Sequence, residues 1–538
     1  MLGPMLLPLD IEALAWGWED TRYRHLEIDG IDLRDGRLAI PPEALAELSR
    51  QAFREMAFRL PSSQLEAYAR IIADPLSSAN DRFVAAALIR NAAIAAEGVL
   101  PLCQDTGTAC AWLFKGEDVR CGADASLAVA EGAVRCYNEE NLRYSQLAPI
   151  SMFEEADSGD NSPAQVEARV SAAPGMRLLF AAKGGGSANK TRLFQETKAL
   201  LRPEALRAFM DAAIRSLGTA ACPPYHVSMV VGGSSAEQNL TILKLSSAGF
   251  LGGLERPGPR AMGVLACPEW EEETMRLARA SGLGAQFGGR ALALGAQVLR
   301  LPRHAASLPV SIGLSCNAHR RIRAYVDAEG AWLERLEENP ARFLGAAEAA
   351  SPGAALSRID LDRPMPAILA DLGKLKAGDM VLLSGAVVVA RDAVHARLFA
   401  EAEAGRDLPK WFLRHPIMYA GPAKKPAGLA SGSLGPTTAG RMDAYAETFM
   451  SRGASLVSMA KGNRSEDFRL ACQRHGGAYL GILGGAAALI AKEHVVSEEV
   501  LAYPELGMEA ARLVRLRDLP AVLIIDPRGR DLYATRGT

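Results

Sequence analysis

Within nine residues, Pro101-Leu-Cys-Gln-Asp-Thr-Gly-Thr-Ala109 sets a thiol (Cys103), an amide (Gln104), a carboxylate (Asp105) and two hydroxyls around one glycine. A reachable thiolate ligates metals, and a carboxylate two residues on can hold or move a proton, so one turn carries parts for both tasks. Two further cysteines stand beside proline or glycine at the mouths of polar loops: Cys222 in ACPPYHVSMVVGG and Cys316 in PVSIGLSCNAHR. Spacing alone does not connect the three. His304 precedes Cys316 by twelve residues, with a strand pattern between them. A lone histidine so placed serves either structure or proton transfer.

Lys183-Gly-Gly-Gly-Ser-Ala-Asn-Lys-Thr191 has the look of a phosphate loop, yet the pattern GxxxxGK[ST] requires glycine where Asn189 stands. A Walker A assignment fails on that ground. Successive glycines leave amides free to converge on an anion, with Lys183 and Lys190 adding charge, or they form a plain structural turn. Farther on, Arg391 in VVVARD, Thr437 and Arg441 in GPTTAGRMD, and Lys461 in MAKGNR follow buried-strand or Gly/Thr-turn signals. Singly each reads as a solvated charge. Together they suggest recognition of a dianionic ligand.

The elements that must position these groups follow from the apolar pattern. Pro41-Pro42 opens a helix with Leu45, Leu48, Ala52, Met56 and Leu60 on one face. A second helix runs from an Asn80 cap to a stop at Gly98, directly before Cys103, and a third covers about 123–141. Strands then alternate with glycine-rich or polar loops: Met176–Lys183, His226–Val231 and Pro309–Leu314. In α/β architecture, loops at the carboxyl ends of strands are where ligands bind. A charged, helix-prone stretch near Glu329–Ala350, followed by Ser351-Pro-Gly, marks a boundary. Beyond it Met380–Ala390, Ala454–Ala460, Ala478–Leu483 and Ala521–Asp526 read as buried strands of a second α/β domain.

At 538 residues the chain exceeds one ordinary core. A net charge of −2 gives no long-range pull toward nucleic acid or an anionic membrane. The N-terminus has no basic region of a secretory signal, and the apolar run near Gly481–Lys492 is too short for a bilayer, so a soluble cytoplasmic protein is expected. The eight cysteines form no CxxC pair, so a metal site would have to be assembled from distant segments.

PLCQDTGTA, AKGGGSANKTRLFQETKAL, CPPYHVSMVVGG, LPRHAASLPVSIGLSC, HPIMYAGPA, GPTTAGRMD and MAKGNRS resemble, in order, the signature blocks of class I fumarate hydratases, the iron–sulfur fumarases. The resemblance extends from about Asp20 to Ile525. It implies an α/β chain with an N-terminal cluster-binding domain (1–345) and a smaller, swivelling C-terminal α/β domain (346–538), assembled as a homodimer. It implies a 4Fe-4S cluster on Cys103, Cys222 and Cys316, whose fourth iron stays open to substrate. Gln104, Asp105, Arg143, Gly186, Arg391, Thr437, Arg441 and Lys461 match substrate-binding positions. Thr437 matches the proposed base, and Asp105 with His304 the pair that moves the proton at the hydroxyl side. The implied reaction is hydration of fumarate to S-malate, with mesaconate hydration or L-tartrate dehydration as alternatives on the same scaffold. Phe153–Ala164 departs from the family's wording.

Overall fold

Met176–Lys183 forms a strand over those same residues, with all but its second and last side chains buried. It is central to a six-stranded sheet whose order is Tyr23–Leu26, Gly330–Glu334, Arg321–Asp327, Met176–Lys183, Thr108–Gly116, Gln165–Ser171. The computed structural model describes residues 22–121, 124–249, 251, 264–345 and 356–534. A second sheet of five strands runs Arg192–Glu196, Leu308–Ser315, Tyr225–Gly233, Ala293–Arg303, Leu265–Ala266. Its Leu308–Ser315 strand is buried throughout, which suits the continuous apolar run LPVSIGLS.

Beyond residue 356 the chain builds a seven-stranded sheet: Ser357–Asp360, Met380–Val389, Ile417–Met418, Val457–Ala460, Ala478–Ile482, Ala511–Ile525, Val495–Ala502. Met380–Val389 also pairs antiparallel with Ala511–Ile525, so five of these strands close into a barrel. Closure abolishes the free edges of those strands. The inward residues Val381, Leu383, Val387, Met459, Leu480, Ile482 and Val514 fill its interior. The architecture is therefore mixed α/β in several lobes, one of them a closed barrel.

The stretch expected to be helical at Glu329–Ala350 differs. Gly330–Glu334 is a strand, and a 3-10 turn follows at Pro340–Phe343. Gly330 makes the turn at φ +127°, and Ala331 and Leu333 alternate into the core between Tyr23–Leu26 and Arg321–Asp327. Tertiary pairing here overrides the local charge pattern. The boundary expected between 345 and 346 falls at the edge of 346–355, which lies outside the described residues.

The helix before the Cys103 loop spans Ala79–Ala95 and is capped by Ser78 rather than Asn80. Ser78 Oγ accepts the Asp81 amide at 3.0 Å, and the Asp81 carboxylate accepts the Ser78 amide at 3.3 Å, a reciprocal capping box. The fully buried Asp81 carboxylate also accepts the amides of Ala285 and Arg290, each at 2.8 Å, which fixes the turn carrying Gln286. The same helix supplies Val84 and Leu88 to a core shared with Val388, Phe412, Phe449, Phe468 and Ile524 of the barrel lobe. The two halves of the chain are joined by continuous apolar packing. No helix among the described residues is long and apolar enough to cross a membrane.

Candidate active site

The Cys103 loop is held from three sides. Asn91 Nδ2 donates to the Leu102 carbonyl at 3.0 Å while its Oδ1 accepts the Leu489 amide at 3.0 Å, so one buried amide ties the loop to the barrel lobe. The Leu102 amide donates to Ala57 O at 2.9 Å. Tyr137 Oη is 2.8 Å from both the Thr106 and Gly107 carbonyls. Gly107, at φ +83°, passes so close to the Lys183 carbonyl that a Cβ would stand 2.8 Å from it. Only glycine permits that approach. Cys103 and Gln104 are buried as a result.

Asp105 turns toward the glycine run, where its Oδ2 accepts the Gly185 amide at 2.8 Å. Burial pushes its carboxyl up, but Arg143, Arg320, Lys461 and that amide outweigh burial and hold it below the ordinary range. Asp105 is thus an ionised carboxylate. Gly186 packs beside Ala221, the neighbour of Cys222, so KGGGSANK lines this site as a turn of one short helix, Gly185–Ala188.

Cys222 sits at φ +63°, a left-handed conformation that costs a non-glycine residue on the order of 1 kcal/mol. Its carbonyl accepts the Asn317 amide at 3.1 Å, which binds the Cys222 loop to the one bearing Cys316. Gln286 Nε2 donates to Pro223 O (3.0 Å) and Gly484 O (2.9 Å), and its Oε1 accepts the Gly484 amide (2.7 Å). Gly485 at φ +86° lies against Asn317, leaving no room for a Cβ. Cys316 directly follows the Leu308–Ser315 strand.

The three thiols lie near enough to act electrostatically on one another. Burial raises the Cys222 thiol to about 12, opposed by Lys461 and reinforced by Cys316 and Cys103. Cys103 is likewise raised, by burial first. All eight cysteines are free. No three metal-ligating side chains among the described residues stand at single-ion spacing. A cluster, whose own irons and sulfides fill the middle, requires its thiolates apart.

The opposite wall comes from the barrel lobe. Gln104 Nε2 donates to Pro436 O at 3.3 Å, and Lys461 Nζ stands 2.8 Å from Cys222 Sγ. The Lys461 amide donates to Thr437 O at 3.1 Å, setting the two side by side. Arg441 donates to Thr437 Oγ1 and pairs with Asp392 at 3.0 Å. Arg143 Nη1 donates to Gly421 O at 3.0 Å, and a Cβ on Gly421 would lie 2.9 Å from Arg391 Nε, so the two arginines flank one glycine. Arg391 pairs with Glu509 at 2.8 Å. Burial, then repulsion from Arg143, lowers it to about 10.

Arg320 belongs here although the sequence reading passed over it. It is 4 % exposed and acts electrostatically on Cys103, Cys316 and Asp105. Its position in SCNAHR, one polar loop with Cys316, is the signal that could have found it. The Nε atoms of Arg143, Arg320 and Arg391 are buried without hydrogen-bond partners among the described residues. Cations so placed are costly unless anions arrive to meet them.

His304 is the exception. It is exposed, precedes the Leu308–Ser315 strand, and its Nδ1 accepts the Ala306 amide at 3.2 Å. Cys316 follows the other end of that strand, roughly 25 Å away at the rise of an extended chain. Within one chain the structure brings together every expected site residue but this one.

At the junction of the lobes, three cysteines of the first therefore meet Lys461 and the neighbouring Thr437, Arg441 and Arg391 of the second. Two family models match the chain: Fumarate hydratase (Fumerase) over residues 46–325 and Fumarase C-terminus over 330–536. Fumarate hydratase 2 of Leishmania major is 45% identical over 92% of this chain and 88% of its own length. The anaerobic and aerobic class I fumarate hydratases of Escherichia coli K12 are each 45% identical over 96% of this chain and 95% of their own. The chain belongs to the class I fumarate hydratase family.

Proposed function

We propose that the chamber between Cys103, Cys222 and Cys316 and the Thr437–Lys461 wall is where this chain interconverts fumarate and S-malate. The activity itself is the family's: the protein is a hydro-lyase, a reversible fumarate hydratase with a 4Fe-4S cofactor. The donor set fits that group. Three free thiols lie within electrostatic reach of one another, and the Nε atoms of Arg143, Arg320 and Arg391 lack partners among the described residues. Cys103, Cys222 and Cys316 would hold the cluster, which when bound supplies a Lewis-acid iron that polarises a substrate oxygen.

The side chains supply the rest. Arg143, Arg391, Arg441 and Lys461, with the Gly186 amide and Gln104, bind and orient the two carboxylates, which also offset the buried cationic charge. Those cations stabilise the extra negative charge that develops when a proton leaves the carbon beside a carboxylate. Thr437 accepts that proton. Arg441 donating to Thr437 Oγ1 favours negative charge on the oxygen, the direction such a base requires. Asp105 and His304 move the hydroxyl-side proton: in hydration Asp105, kept ionised, takes it from the adding water while Thr437 returns its proton to carbon, and in dehydration the pair gives it back to the departing hydroxyl. Since His304 stands beyond the far end of its own strand, it enters from a second copy, and a homodimer follows from that role. The 1–345 part acts as the cluster domain and the 346–538 part as the smaller domain, whose swivel is confined to rotation about the shared apolar seam. The reading includes a cytoplasmic setting, and the net charge of −2 supports the absence of nucleic-acid or membrane partners.

The observation that carries this reading is the meeting of Cys222 with Lys461 across the two lobes. Anaerobic reconstitution with iron and sulfide, followed by rates on fumarate, mesaconate and tartrate, tests it. Fumarate is expected to give the highest kcat/KM; preference for either other acid would reassign the substrate. A methyl group is worth only about 1–3 kcal/mol, so some mesaconate turnover is compatible.

A further inference from the structure

Five cations gather where the lobes meet, and four of them have a partner in reach. Arg143 Nη2 stands 3.6 Å from Asp105 Oδ1, Arg391 pairs with Glu509 at 2.8 Å, Arg441 pairs with Asp392 at 3.0 Å, and Lys461 Nζ lies 2.8 Å from Cys222 Sγ. Arg320 is the fifth. Its side chain forms no ion pair and donates no hydrogen bond among the described residues, and its Nε is buried.

The chain around Arg320 is pinned. Its amide donates to Ala318 O at 2.8 Å, and its carbonyl accepts the amide of Ala182, near the end of the Met176–Lys183 strand, at 3.1 Å. A Cβ on Gly184 would lie 3.0 Å from Asp105 Oδ2 and 3.5 Å from Arg320 Nη2, so carboxylate and guanidinium border the same glycine. They do not pair with each other. Asp105 is engaged by the Gly185 amide at 2.8 Å and by Arg143.

A buried guanidinium without an anion in contact is costly unless one arrives. Burial opposes its charge, while Cys103 and then Cys316 support it ahead of Asp105. Free cysteine does not supply that anion, because burial raises the Cys103 thiol above its ordinary range. Ligation does, since a metal takes the thiolate. Three thiolates around a doubly positive iron–sulfur core leave one net negative charge, and uptake of one electron adds a second. Net charge near the sulfurs is a lever on the potential of such clusters.

We infer that Arg320 is a positioning residue that acts through the cluster: its fixed guanidinium, beside Cys103 and Cys316, offsets the charge of the bound group and raises its reduction potential. The inference rests on the three-cysteine cluster site proposed above. Lys461 and the other cations that meet substrate come mainly from the second lobe, whereas Arg320 is carried by the loop of Cys316 itself. Its part is therefore separable from substrate binding.

The test uses anaerobically reconstituted holoenzyme of wild type, Arg320→Met, Arg320→Gln and Arg320→Lys. Iron and sulfide per chain are measured, and the one-electron midpoint potential is read from the electron paramagnetic resonance of the reduced cluster during titration with dithionite. The two neutral variants are expected to lower the equilibrium constant for reduction by tenfold or more, about 59 mV for one electron. Arg320→Lys, which keeps the charge, should recover most of that shift. A structural role alone would not split charged from neutral variants. An unchanged potential in the neutral variants, with full iron and sulfide, overturns the inference, and a KM for fumarate raised tenfold in those same proteins would make Arg320 a substrate ligand instead. Where the neutral variants hold no cluster, Arg320→Lys decides: a cluster near the wild-type potential upholds the role of charge, while loss of the cluster or a tenfold shift there too overturns it. Wild-type protein that takes up no iron and sulfide would overturn the cluster site as well.

Discussion

Lys461 Nζ lies 2.8 Å from Cys222 Sγ, joining residues 239 positions apart on two different lobes. The ammonium is buried beside that thiol and acts electrostatically on the ionised Asp105, so its charge is shared between the two. Lys461→Met keeps the length and apolar stem but removes the charge. Turnover of fumarate is expected to fall on the order of a hundredfold to a thousandfold, the cost of losing one preorganised charge. Iron and sulfide content per chain, measured alongside, should remain close to wild type. Full loss of iron would move Lys461 from substrate binding to cluster retention.

Thr437 is held by its backbone on both sides, its amide donating to Tyr419 O at 2.7 Å and its carbonyl accepting the Lys461 amide. Thr437→Ala therefore removes an oxygen without shifting the chain. The expected outcome is a fall in kcat on the order of a hundredfold or more with KM little changed. Thr437→Ser, which keeps the hydroxyl Arg441 donates to, should recover much of the rate. A wild-type kcat in the alanine variant would place the base elsewhere.

Sequence punctuation made some of this legible. A helix ending just before PLCQDTGTA, and buried strands running into GGGSANK and SCNAHR, are local patterns that the fold obeys. What stayed out of reach depends on contacts between distant segments. Nothing around Cys222 announces its left-handed backbone, which exists because Asn317 and Gln286 hold the adjoining carbonyls. Arg320 reads as one more solvated charge until the Leu308–Ser315 strand delivers it beside Asp105. The charged residues after Glu329 favour a helix locally, but an open edge at Tyr23–Leu26 takes Gly330–Glu334 as a strand. Barrel closure likewise follows from one long strand, Ala511–Ile525, reaching back to Met380–Val389.

The exposed position of His304, at the end of its strand opposite Cys316, makes its role a matter of which chain it serves. The His304→Ala and Thr437→Ala variants are each expected to be nearly inactive. If His304 acts across the dimer, unfolding and refolding the two together restores one complete site in each mixed dimer, about a quarter of wild-type activity for random pairing. Mixtures no more active than the separate variants would return His304 to its own chain.

His395 is 1 % exposed, with its Nδ1 donating to the Arg391 carbonyl at 3.0 Å and Phe412, Tyr419 and Phe449 packed around the ring. Burial lowers its pKa to about 4, the Arg391 carbonyl opposing that shift and nearby Arg464 adding to it. The unfolded chain takes up this proton below its ordinary pKa of about 6.5, whereas the folded chain resists until about 4. Stability from this group is therefore whole above pH 6.5 and is lost progressively as pH falls to about 4, a difference on the order of 3 kcal/mol. Denaturant unfolding at several pH values is expected to show that slope in wild type. In His395→Phe the slope between pH 6.5 and 4 should flatten by about that amount, and Arg391, having lost the donor to its carbonyl, should bind substrate less tightly. An unchanged slope would mean the ring is already charged in the folded protein, against the burial that surrounds it.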